Sequence, residues 1–170
     1  MPKKLPDDLL SYCHSYFGSA LTLISQVGTK AKFITGLKLD KGYILAAHFL
    51  MAHGTELYLK LCIELLGGKV PTDKNGHNLK KLLTILSPLC KKHYKHPPFN
   101  KKLSTFIDYL NRNTKFRYPR DKQWNHIPDI FKEAEKWSAK KAGKFFNNWN
   151  ELRDRFNDLG YKIAHKEGFQ

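Results

Sequence analysis

At 170 residues the chain is long enough for one domain with a real core, and 41% hydrophobic with 13% aromatic residues excludes global disorder. No apolar run reaches the roughly 20 residues a bilayer-spanning helix needs. The opening MPKKLPDDLL lacks the apolar stretch of a signal peptide, so neither a membrane span nor a leader is expected. The formal net charge of +15 directs attention to polyanions: nucleic acid, an acidic protein or, less favourably, anionic lipid.

The first helix is predicted from Pro6 to about Val27, with Asp7 and Asp8 suited to its first turn. Leu9, Leu10, Phe17, Leu21 and Ile24 give it an apolar face. Gly28 to Lys41 reads as a loop. Gly42 to Leu66 reads as the central helix, because Ala47, Leu50, Met51, Leu57, Leu61 and Leu65 make most of its surface apolar. Its ionisable residues His53, Glu56, Lys60 and Glu64 recur at i, i+3, i+7 and i+11, which places them on one stripe. Gly67 and Gly68 supply the stop, and Lys69 to Gly76 is a connector.

Asn78 is a good N-cap for a third helix carrying Leu79, Leu82, Leu83, Leu86 and Leu89, with a kink expected at Pro88 and an end at the HPPF of His96 to Phe99. Lys101 to Asn113 is predicted as a fourth helix with Leu103, Phe106, Ile107 and Leu110 at core spacing. Arg117 to His126 is a loop, since Pro119 disfavours helix at Tyr118. The last helix is predicted from Pro128 toward Ala164, with a bend at Gly143. No repeat and no convincing strand pattern appears. The expected architecture is all-α: a single up-and-down bundle of four to five main helices forming one domain over residues 1–170.

The charge is concentrated mid-chain. Lys74 to Ile107 holds eight lysines and no acid, and Arg112, Lys115, Arg117, Arg120 and Lys122 follow against Asp121 alone. Lysine outnumbers arginine 25 to 5, which favours diffuse electrostatic contact over bidentate recognition. The bland alternative is a solvated surface. Among the interleaved aromatics, Phe106 and Tyr109 sit at core spacing, whereas Phe116, Tyr118 and Trp124 lie in the predicted loop and are the better base-stacking candidates.

The run His53, Glu56, Leu57, Leu59, Lys60, then Gly67 and Gly68, then His77, Asn78, Leu79 and Leu82, followed by Arg117, Tyr118 and Pro119, resembles the HEPN superfamily of small helical bundles. Order and spacing agree over roughly residues 43 to 120. The chain departs from the family at Asn78, where Asp is common. The resemblance implies one of two functions. Many HEPN proteins are metal-independent ribonucleases with an R-x(4–6)-H motif near the last helix, often built by two subunits. Others bind nucleotides, RNA or a partner nucleotidyltransferase.

Arg120 and His126 have the ribonuclease spacing, although their stretch precedes Pro128 in a predicted loop. Arg155 and His165 are ten positions apart, about 15 Å along a helix, and do not form a single-chain pair. The stripe of His53, Glu56 and Lys60, with His77 and Arg117, is the candidate groove for a nucleotide or phosphate. Its structural alternative is a Glu56–Lys60 pair at i,i+4 with His53 satisfying a buried polar contact. The nucleic-acid candidates are Lys80, Lys81, Lys91, Lys92, Arg112, Tyr118 and Trp124.

Cys90, His93 and His96 have conceivable zinc spacing but no second ligand pair, so no metal or other cofactor is expected. Cys13, Cys62 and Cys90, odd in number and widely spaced, read as reduced, buried thiols of a cytoplasmic protein. Ile130, Phe131, Trp137, Phe145, Phe146, Trp149, Leu152 and Phe156 give the last helix more apolar surface than a small bundle covers, so a homodimer is expected there. Two functions therefore stand: a non-catalytic module binding RNA, nucleotide or an acidic partner such as an antitoxin, and a ribonuclease effector of a toxin–antitoxin or defence system acting through Arg120 and His126.

Overall fold

The computed structural model describes residues 7–25, 39–112 and 139–166, and among them the chain is an all-α helical bundle without a strand. Helix α1 spans Asp7–Ser25, α2 Leu39–Leu65, α3 Leu79–Tyr94, α4 Lys101–Arg112 and α5 Ala139–Lys166, with one 3-10 turn at Lys74–His77. Helix α2 starts three residues earlier than expected, at Leu39. The predicted start of the last helix at Pro128 lies outside the described residues. From Ala139 onward that helix continues through Gly143.

Local chemistry explains the ends. Gly67, at φ +75°, donates to Glu64 O at 3.0 Å, and Gly68 donates to Ile63 O at 2.8 Å, closing α2 in a Schellman motif that favours glycine at its left-handed position. Asn78 Oδ1 accepts from Lys81 N at 3.1 Å, and Asn111 Oδ1, from α4, accepts from Leu79 N at 2.8 Å, so two orphan donors of α3 are satisfied. Pro88 is carried inside α3 on its exposed side. The helix ends at Lys95, in the left-handed conformation at φ 62°. Asn100 caps α4 by accepting from Leu103 N at 2.9 Å.

Helix α2 packs against each of the other four described helices, as its nearly all-round apolar surface requires. Against α1 the approach is close: a Cβ on Gly54 would lie 2.6 Å from the Phe17 ring. Phe17 in turn meets Trp149 edge-on at 4.4 Å between ring centroids, and Tyr58 lies 4.2 Å from Phe156. These side chains are at most 1% exposed, and each contributes about 1.5–3 kcal/mol by burial alone. The Tyr58 hydroxyl donates to Phe156 O, which resolves the cost of burying it.

Phe145, Trp149, Leu152 and Phe156 are buried in the chain's own core. The apolar surplus from which a homodimer is expected is thus consumed, for these four residues, inside the chain. Ile130, Phe131 and Trp137 lie outside the described residues. No described helix is long and apolar enough to cross a membrane.

Candidate functional site

The HNL of His77 to Leu79 works as a junction. Asn78 caps α3, Leu79 is fully buried, and His77, exposed at the end of the 3-10 turn, reaches back to α2. There His77 Nδ1 lies 2.9 Å from Glu56 Oε1, and Lys60 Nζ donates to the same oxygen at 2.8 Å. The Glu56 carboxylate is 2% exposed, whereas the side chains of Lys60 and His77 are 23% and 70% exposed. A buried negative charge therefore fixes two polar groups at the surface. His53 packs its ring edge-on against Tyr16, at 4.7 Å, and parallel to Phe49, at 5.9 Å. The structure thus joins Glu56, Lys60 and His77, and sets His53 beside them in an aromatic strip.

The lysines segregate cleanly. Lys80, Lys81, Lys91 and Lys92 are all exposed on α3, and Lys95 is exposed at its C-cap. At 100° per residue the four lysines within the helix fall within about 120° of its circumference, spread over roughly 18 Å of axis. No acid occurs in α3. Next to α3, Lys102 is paired with Glu151 of α5, whose carboxyl is held below the ordinary range by the Lys102 hydrogen bond and then by that of Asn100. The four lysines of α3, with Lys95 at its cap, thus form a basic surface running from His77 toward the HPPF turn.

Arg117, Tyr118, Arg120, Trp124 and His126 lie outside the described residues, as do Phe116 and the side chain of Arg112. Comparison with family models, with curated proteins and with solved structures finds no match for this chain.

The thiols have no part in it. Cys13, Cys62 and Cys90 are free and buried; burial pushes the Cys13 thiol up to about 12, Cys90 to about 11, and Cys62 well above its ordinary value, all unfavourable for a nucleophilic thiolate. Cys90 is fully buried, whereas His96 is exposed with its Nδ1 bonded to Pro97 O at 3.1 Å, so Cys90, His93 and His96 do not converge. Among the described residues no group of His, Cys, Asp and Glu is arranged to hold a metal ion.

Two features escape the sequence reading. His48 is 2% exposed; its Nδ1–H donates to Ile44 O at 2.9 Å, and its Nε2 accepts from the Tyr109 hydroxyl at 3.1 Å. Burial lowers its pKa to about 4, so it is a neutral connector between α2 and α4. The other is Phe49, 37% exposed one turn before His53. Its position at i−4 from the polar stripe was the available signal.

Proposed function

We propose that this chain is a HEPN-like cytoplasmic module that binds RNA electrostatically through the lysine face of α3, without catalysis of its own. The observation that carries the reading is the segregation of four exposed lysines on one side of a helix with no acid. RNA is a ligand whose regular negative charge matches such a stripe, and lysine suits phosphate contact without base selection. The HNL junction adds Lys60 and His77 at the start of that face, where a phosphate would meet two further donors.

The reading is tested by titrating labelled RNA with the purified protein in EDTA at low salt. Binding is expected without cleavage, and Lys91→Glu with Lys92→Glu is expected to weaken it at least tenfold. No binding at low salt would remove the RNA reading and leave an acidic protein, such as an antitoxin or a nucleotidyltransferase, as the partner to seek. Cleavage in EDTA that is lost in His126→Ala would replace the reading with that of a metal-independent ribonuclease.

A further inference from the structure

We infer that the half-buried strip of α2 between Phe49 and Lys60 is a stacking platform for unpaired bases of single-stranded RNA, continuous with the α3 lysines; this rests on the RNA reading above. Phe49, His53 and Lys60 fall within about 40° of one another around α2, over roughly 16 Å of axis. Phe49 is 37% exposed, and its ring lies 7° from parallel with that of His53. From the neighbouring helix, Tyr16 places its ring edge against the other member of that pair, His53.

Helix α1 runs antiparallel to α2, since Tyr16 meets His53 while Cys13 lies by Tyr58 and Cys62. Tyr12, one turn before Tyr16 and 62% exposed, therefore lies alongside the turn leading to Lys60. Large aromatic side chains held at a surface, beside cations, are what unpaired bases stack upon; a duplex hides its base faces and gains nothing from them.

Charge gives the path a direction. At one end of the strip Lys60 and His77 are held side by side on the Glu56 oxygen, and three residues beyond His77 the α3 lysines begin with Lys80 and Lys81. Glu64, exposed one turn past Lys60, repels a strand that continued straight along α2. The strand is thereby turned from the aromatic strip onto α3.

The test compares an oligouridylate with a duplex RNA of equal length in fluorescence-anisotropy titrations of the full chain. Phe49→Ala and Tyr12→Ala are each expected to weaken single-strand binding at least about fivefold, the low end for loss of one stacking side chain. Duplex affinity should be unchanged in both. Phe49→Tyr, which keeps the ring, should retain wild-type affinity, and unchanged thermal unfolding of Tyr12→Ala guards against misfolding. Wild-type single-strand affinity in both alanine variants, or equal losses for single strand and duplex, would overturn the platform. If Lys91→Glu with Lys92→Glu still lost binding in that case, the α3 reading would survive. Absence of any RNA binding by the wild type would overturn both.

Discussion

Glu56 is the residue on which the junction turns, and its energetics are asymmetric. Removing its charge leaves Lys60 and His77 partly exposed, where water takes over their hydration. Removing Lys60 leaves a buried carboxylate one cation short. Lys60→Met is accordingly expected to cost about 3 kcal/mol and Glu56→Gln about 1–2 kcal/mol, measured by urea unfolding. Equal costs would show that the carboxylate is better hydrated than its burial implies. His48 yields a pH prediction. Its folded pKa of about 4 lies below the usual 6.5, so between these values the unfolded chain binds a proton that the folded chain does not. Stability from this group is complete above about pH 6.5 and falls as pH drops toward 4, by about 3 kcal/mol in all. His48→Gln should flatten that part of the pH–stability curve; curves of equal slope would contradict the assignment. The Glu56–Lys60 pair was legible because i,i+4 neighbours meet on any helix. The His48–Tyr109 bond was not, because its partners are 61 positions apart and only the packing of α4 on α2 brings them together.

At the scale of the element, apolar periodicity located the helices, and residues with one clear backbone role located their ends. Asn78 and Gly67 are such residues, and the structure uses both as expected. The tight α1–α2 crossing was invisible, because Gly54 looks like a mild defect in a helix until Phe17 is known to lie over it. Gly54→Ala should therefore destabilise the protein by about 1–3 kcal/mol despite the better helix propensity of alanine, since the buried Phe17 ring cannot move aside. A melting temperature unchanged or raised in this variant would show that the crossing relaxes. How much apolar surface the last helix leaves uncovered was illegible for a related reason. Sequence shows that Phe145, Trp149, Leu152 and Phe156 are apolar, but not that α1, α2 and α4 cover that face between them.

For the whole molecule, the fold organises charge. Helix α2 takes the core position, which leaves α3 one face for Leu79, Leu82, Leu86 and Cys90 and the opposite face for its lysines. The acid-free run was legible as a patch; that four of its lysines share one face needed the phase of α3. The expected groove is legible only in part, since Glu56, Lys60 and His77 converge while Arg117, Arg120 and His126 lie outside the described residues. If the lysine face binds RNA by releasing condensed counterions, affinity must fall linearly on a log–log plot against salt, with a slope set by the phosphates contacted. The most direct measurement is that slope, compared between the wild type and Lys91→Ala with Lys92→Ala on single-stranded RNA. The double variant is expected to bind more weakly, with a slope shallower by about 1.4, two contacts at about 0.7 each. An unchanged slope, or affinity independent of salt in the wild type, would contradict it.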